Sequence, residues 1–264
     1  MLTDSFLTIG SLHKTCEDYI VHGSDPIPFV ILSDGCSSSP LTDFGSRFLV
    51  MLARKYLVER FKFINNGEEF SIKHMVNWII RRASMLPNRL SLNNMILDAT
   101  LIVSFEIENI VYVYMYGDGC VLYKNINGEN RGIEVSYPTN MPYYPSYLLS
   151  QTNNEKYKEM NEKKNIIYTK PSGTAIVEQR ATDFTELSFD LNNFNTILIA
   201  SDGITSFDKN SLSSEMIDDL LDFKGYNGPF VTKRIKKVIK NFKKVGVQNY
   251  DDISIGGFHV SNSD

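Results

Sequence analysis

Short runs of branched and aromatic residues recur along the chain, and seven of them predict strands: Phe6–Ile9, Phe29–Leu32, Thr100–Phe105, Ile110–Tyr116, Val121–Tyr123, Thr196–Ala200 and Ile253–Val260. Several are nearly all apolar. That pattern predicts strands covered on both faces, as in stacked sheets flanked by helices, rather than a sheet with one wet face. From Thr42 to Phe61 the period becomes helical, and Phe44, Phe48, Met51, Leu52, Tyr56 and Leu57 fall on one stripe. Further helices are predicted around Ser71–Met85, Ser213–Asp222 and Phe230–Phe242. The last sets Val231, Ile235, Val238, Ile239 and Phe242 on one face and Lys233, Arg234, Lys236, Lys237, Lys240, Lys243 and Lys244 around the other. A basic stripe of this kind reads first as a solvated face. Residues 125–170 are polar, rich in Asn, Tyr, Lys and Pro, and weakly periodic, which predicts an insertion or mobile loop. No repeat or linker divides the chain, so a single domain over residues 1–264 is expected.

Composition narrows the classes of function. A hydrophobic share of 42% is ordinary for a globular protein, and the net charge of −4 supplies no global basic field for nucleic acid or an anionic membrane. Phosphate binding, if present, has to be local. The opening residues lack a basic region followed by an apolar one, and no run approaches the roughly 18 apolar residues of a membrane span. A soluble, cytoplasmic monomer is the expectation. Three cysteines, Cys16, Cys36 and Cys120, are few and odd in number, without Cys-x-x-Cys spacing. They predict neither a disulfide framework nor a structural zinc site, and each reads first as a small core residue.

The placement of aspartates is the most informative chemistry. Asp34 follows the apolar run Phe29–Leu32 as Ser33-Asp34-Gly35, and Asp202 follows Ile197–Ala200 as Ser201-Asp202-Gly203. In each case a buried strand delivers a carboxylate at its exit, and the glycine lets the backbone turn or approach an ion closely. Asp118 stands in Gly117-Asp118-Gly119 after another apolar run, Asp251 and Asp252 precede the final strand, and Glu17 and Asp18 complete the set. A lone Asp-Gly pair reads as a turn. Several carboxylates brought to strand ends, without a matching excess of Cys or His, read as a hard oxygen site for Mg²⁺ or Mn²⁺. Two such ions sharing a water would make it a nucleophile and would neutralise charge on a phosphoryl group.

In order as well as content these motifs resemble the metal-dependent protein phosphatases of type 2C, in a divergent, bacterial-type form. His13-Lys14-Thr15-Cys16-Glu17-Asp18 is similar to the family's first motif, and Ser33-Asp34-Gly35 to its Asp-Gly motif. Asp98-Ala99-Thr100-Leu101 is similar to Gly-Thr-Thr-Leu, and Tyr116-Gly117-Asp118-Gly119 to Gly-Asp-Ser. Ile199-Ala200-Ser201-Asp202-Gly203-Ile204 resembles Ala-Ser-Asp-Gly-Leu, and Asp251-Asp252-Ile253-Ser254 resembles Asp-Asn-Ile-Thr. The resemblance implies an α+β fold, a four-layer α-β-β-α sandwich of two antiparallel sheets with the metal centre at one edge. It also implies roles. Asp34 bridges two ions, Gly35 offers its carbonyl, and Asp202 and Asp251 hold one ion. Glu17 or Asp18 reaches the second, and Asp118 with Asp202 forms an additional, weaker position. The activity implied is Mg²⁺- or Mn²⁺-dependent hydrolysis of phosphoserine or phosphothreonine in proteins, with a partner Ser/Thr kinase sharing the substrate. Residues 125–170 then fall where the family carries a flap beside the substrate groove.

Three departures alter the neighbours of those ligands. His13 takes the position of the family's phosphate-gripping arginine and becomes the expected, weaker phosphate contact. Cys36 stands where many relatives have a histidine proposed as general acid. Asp252 replaces the usual asparagine. The lost arginine leaves a second expectation open, a catalytically weak module that binds phosphoproteins or a partner kinase.

Overall fold

The computed structural model describes residues 1–64, 70–170, 172–173, 175–181, 183–207 and 212–260. Along them run β1 (Leu2–Thr8), β2 (Tyr19–Gly23), β3 (Phe29–Ser33), α1 (Thr42–Ile64), α2 (Ile72–Ala83) and α3 (Met85–Arg89). Then come β4 (Leu101–Ile107), β5 (Ile110–Tyr116), β6 (Gly119–Asn125), β7 (Asn130–Ser136), α4 (Gln151–Glu159) and β8 (Lys164–Thr169). The chain ends through β9 (Ala175–Arg180), β10 (Thr185–Asp190), β11 (Phe194–Ala200), α5 (Ser214–Leu221), α6 (Phe230–Lys244) and β12 (Ile253–His259).

Two antiparallel sheets result, one ordered β1-β12-β11-β6-β7-β8-β9 and the other β10-β5-β4-β3-β2. Side-chain alternation shows how they are covered, because successive residues of a strand face opposite ways. In β11, Ile197 and Ile199 join the core shared with the second sheet, while Leu198 and Ala200 join the core under α5 and α6. Strand β6 divides likewise, Val121 facing one way and Cys120 and Leu122 the other. On the far side, Leu49, Val50, Ala53, Tyr56 and Leu57 of α1 and Met75, Val76, Ile79 and Ile80 of α2 pack into the same core as β3 and β4. The order of layers is therefore helices, sheet, sheet, helices, and the near-continuous apolar runs of β3 and β11 are explained by burial on both faces.

The seven predicted strands are all present, and four of the helices begin and end within a few residues of expectation. Two expectations fail. In α1 the buried stripe runs through Leu49, Val50 and Ala53, whereas Phe44 and Met51 are exposed. Alanine and the valine and leucine beside it carry the contact, and a reading weighted toward aromatic residues was out of phase by part of a turn. Residues 125–170 hold β7, α4 and β8 rather than an unstructured insertion. Strand β7 escaped because it buries only Gly132, Ile133 and Val135. Strand β9 is exposed at every residue, being the outer edge of its sheet.

One buried titratable group lies at the end of β12. The ring of His259 stacks on Tyr226 with centroids 3.2 Å apart, and its Nδ1 lies 3.1 Å from the Thr196 hydroxyl. Burial, with the amino terminus and Lys124 adding positive charge, pushes its pKa from 6.5 down to about 4. The unfolded chain therefore takes up a proton near pH 6.5 that the folded chain refuses until about pH 4, so stability falls as pH drops through that window. At ~1.4 kcal/mol per pH unit the full loss approaches about 3 kcal/mol. His259→Phe keeps a ring on Tyr226 and has nothing to protonate. Denaturant unfolding from pH 7 to pH 4 should cost the parent about 2–3 kcal/mol more than this variant; parallel curves would refute the assignment.

Candidate metal centre and active-site cleft

At one end of the two sheets Asp34, Asp118, Asp202 and Asp251 line a single cleft of about 290 Å³. Each is delivered by the end of an element: Asp34 follows β3, Asp118 sits in the turn between β5 and β6, Asp202 follows β11, and Asp251 precedes β12. Gly35, Cys36, Thr100 and, from the segment after β7, Asn140, Pro142 and Tyr144 complete the walls. Thr100 fixes the first carboxylate: its hydroxyl accepts from the Asp34 amide at 2.9 Å, and its own amide donates to the Asp34 carbonyl at 2.8 Å. The two Asp-Gly pairs share one reason for their glycine. A Cβ at Gly35 would stand 2.8 Å from that of Thr42, and one at Gly203 only 1.8 Å from the Asp252 carbonyl oxygen. A side chain at Gly35 would push the Asp34 segment off Thr42 and the Glu17 carbonyl, and one at Gly203 would push the Asp202 segment away from Asp251 and Asp252.

Glu17 and Asp18 are not among the residues lining the cleft. Asp18 is fully buried; its Oδ2 accepts from the Ser201 hydroxyl at 2.7 Å, and its Oδ1 has no partner among the described residues. Glu17 accepts from the Thr42 hydroxyl at 3.3 Å. The segment that carries both is tied to the other end of the chain by Asp252, whose Oδ1 accepts from the Gly10 amide at 2.7 Å and whose Oδ2 accepts from the Glu17 amide at 2.6 Å. His13 joins the same knot, with Nδ1 3.2 Å from Asp252 and Nε2 3.4 Å from Asp251. Burial lowers the His13 pKa, but its hydrogen bond to Asp252 and the surrounding carboxylates outweigh that and raise it. The two departures at His13 and Asp252 are thus in contact, and the imidazole is turned onto carboxylates instead of lining the cleft.

Crowding dominates the electrostatics. Burial first, then the charges of Asp18, Asp202 and Asp251, drives the Asp34 pKa well above the usual carboxylate range. Burial and Asp202 do the same to Asp118 and, less strongly, to Asp251. Burial brings Asp18 up to about 7 against the opposing hydrogen bond from Ser201. Among the described residues no lysine or arginine lines the cleft, and no three His, Cys, Asp or Glu side chains form a ready-made metal cage. The donor set of the cleft nevertheless suits a hard divalent cation, with four carboxylates and the Gly35 backbone in its walls and positive charge missing.

Of the cysteines, Cys120 is buried under α5 and α6, away from the cleft, and burial pushes Cys16 up to about 12. Cys36 does line the cleft, and although burial raises its pKa, hydrogen bonds with Ser38, Tyr144 and Ser39 bring it below the ordinary thiol value. The sequence reading passed over Asp98 and Tyr144. Asp98 accepts from Ser39 at 3.0 Å and from Ser146 at 2.6 Å, joining the loop after Gly35 to the segment that carries Tyr144. In the sequence Asp98 stands only as one more acid before Ala99-Thr100-Leu101.

The described residues contain no helix long and apolar enough to cross a membrane. A family model described as Protein phosphatase 2C matches residues 12–240, a span that contains Asp34, Asp118 and Asp202 but ends before Asp251. No curated protein matches. Among solved structures the chain is similar to a bacterial serine phosphatase at 14% identity (TM-score 0.58, covering 100% of this chain and 99% of that one). It is also similar to a serine/threonine phosphatase from Staphylococcus aureus at 14% (0.56, 98% and 95%) and to a serine-threonine phosphatase 2C from Toxoplasma gondii at 11% (0.58, 98% and 94%).

Two measurements test this electrostatic picture. With a chelator present, Asp34→Asn and Asp118→Asn should each raise the unfolding temperature, since each removes a charge that its neighbours oppose. Folded Asp18 holds its proton to about pH 7 and unfolded Asp18 only to about 3.8, so the folded state binds more protons in between and the parent should lose stability as pH rises through that window. Lower unfolding temperatures for both variants would contradict it. Separately, Asp252→Ala should cost several kcal/mol, because two backbone amides lose their acceptor at about 1–3 kcal/mol each, whereas Asp252→Asn should cost less; equal, negligible losses in denaturant unfolding would show that Asp252 fastens nothing.

Proposed function

The chain belongs to the protein phosphatase 2C family of metal-dependent serine/threonine phosphatases, and on that premise we propose that its cleft hydrolyses phosphoserine and phosphothreonine esters in proteins with Mg²⁺ or Mn²⁺. The observation that carries the reading is the uncompensated gathering of Asp34, Asp118, Asp202 and Asp251 in one cleft. Asp34, Asp202 and Asp251, with the Gly35 carbonyl, would hold the principal ions. Asp18 and Glu17 would support the second from behind, and Asp118 with Asp202 would form a weaker third position. Bound divalent cations supply Lewis acidity, which makes water nucleophilic near neutral pH and offsets charge gathering on the phosphoryl oxygens.

The chain's own residues do the positioning. Thr100 holds the Asp34 backbone, Ser201 orients Asp18, and Thr42 orients Glu17. His13 and Asp252 hold the first-motif loop against Asp251, so His13 acts on the ligands, and phosphate binding falls to the cations. Pro142 and Tyr144 wall the cleft on the substrate side, and Asp98 fastens that wall. The substrate is a phosphorylated protein, and a kinase acting on the same site is the natural counterpart.

The experiment is hydrolysis of a phosphopeptide with Mn²⁺ or Mg²⁺, with and without chelator, for the parent, Asp34→Asn and Asp202→Asn. Turnover should vanish with chelator, and each variant should lose well over about tenfold in rate while unfolding like a folded protein, since several kcal/mol of charge stabilisation go with the cation. Metal-independent turnover, or a folded variant within about tenfold of the parent, would overturn the reading. A chain that binds the phosphopeptide without turning it over would instead be the catalytically weak module.

A further inference from the structure

Helix α6 concentrates positive charge that the cleft does not use. Its fifteen residues hold Lys233, Arg234, Lys236, Lys237, Lys240, Lys243 and Lys244 and no acid, in a chain whose net charge is −4. The apolar side, Phe230, Val231, Ile235, Val238 and Ile239, is buried against the seven-stranded sheet, so all six lysines are exposed. Lys233, Lys237, Lys240 and Lys244 recur at helical spacing and form one line, about 16 Å long at 1.5 Å per residue.

The amino-terminal end of that line opens into a cavity of about 300 Å³ between α6 and the turn after α5. Four cations face it, Lys224, Lys233, Arg234 and Lys237, against one carboxylate in its lining, Asp222, with a second, Asp219, 3.9 Å from Arg234. Asp222 is already engaged, 2.9 Å from Lys224 and 3.4 Å from Arg234. Arg234 is buried, 8% exposed, and its guanidinium also donates to the Asp219 carbonyl, so one cation of the cavity is fixed in place instead of waving in solvent. Phe223 and Phe230 supply apolar wall. A purely solvated face needs neither a cavity nor a held guanidinium.

We infer that α6 and the cavity at its amino-terminal end form a docking track for an acidic polypeptide segment, one carboxylate seated in the cavity and others along the lysine line. Three observations favour a polypeptide over other polyanions. The apolar face that a membrane-surface helix inserts among lipids is here buried in the protein. The exposed residues along α6 are lysine and asparagine, and the rings of Phe223 and Phe230 stand at the cavity end, so a strand of bases finds no succession of rings along the line. The negative net charge opposes a long polyanion, while a short segment meets only the local patch. At the far end of the line Phe242 packs on Phe207, with ring centroids 4.8 Å apart. The inference itself requires no metal and no turnover.

The test is fluorescence anisotropy with a labelled, unphosphorylated peptide rich in Glu and Asp, beside a Gln/Asn version of the same peptide, phosphatidylserine vesicles and a single-stranded oligonucleotide. The acidic peptide should bind at low salt, and its Kd should rise about tenfold or more between 50 and 300 mM NaCl. Both Lys233→Glu/Lys237→Glu/Lys240→Glu and the milder Lys233→Gln/Lys237→Gln/Lys240→Gln should weaken it by about tenfold or more. Hydrolysis of a small phosphoester should be unchanged in both variants, and a loss there would bear on the cleft rather than on the track. Equal affinity for the acidic and neutral peptides, an unchanged Kd in both folded variants, or preferential binding of vesicles or oligonucleotide would overturn the inference.

Discussion

Repulsion among buried carboxylates is the constraint on which the rest of this structure depends. Asp34, Asp118, Asp202 and Asp251 share a cleft with no basic side chain in its walls, and Asp18 lies buried behind it. Left to themselves such groups separate or take up protons. The fold prevents separation by mounting them on strand ends anchored in two cores, so the cost of crowding is set against the burial of β3, β6, β11 and β12. What remains is a cleft whose walls are short of positive charge.

Precision comes from a small number of polar clamps. Asp252 uses both oxygens on backbone amides of the first loop, Thr100 cradles Asp34, and Ser201 joins Asp18 to the segment before Asp202. These are bonds between segments far apart in sequence, and they tie the first loop to the segments before β12 and after β11, and the Asp34 segment to Thr100. His13 illustrates the logic. Its imidazole lies between two carboxylates, with Nε2 facing Asp251 and Nδ1 facing Asp252.

The placing of Asp34 and Asp202 at strand exits was legible because its signal is local: an apolar run, then Asp-Gly, twice over, at the ends of β3 and β11. The sandwich was legible for the same reason, since strands buried on both faces leave uninterrupted apolar runs. Strand β7 and the fully exposed β9 were not, because an edge or one wet face breaks the run with polar residues. The stripe of α1 was out of phase because Ala53 and Val50 weigh little in a reading by side-chain size, yet their smallness is what lets the helix lie close to the sheet. The partners of His13, the clamp made by Asp98 and the cavity beside α6 depend on which loops meet, and no spacing along the chain encodes that.

The bond from the Gly10 amide to Asp252 spans 242 positions, and among the described strands β1 pairs with β12. Contacts of such separation are the last that a growing chain can make. During synthesis the first loop, with Glu17 and Asp18, therefore waits without its anchor while everything between is translated. The cleft comes into existence only after residue 252 has left the ribosome, so a nascent chain carries most of the carboxylates before it carries the site.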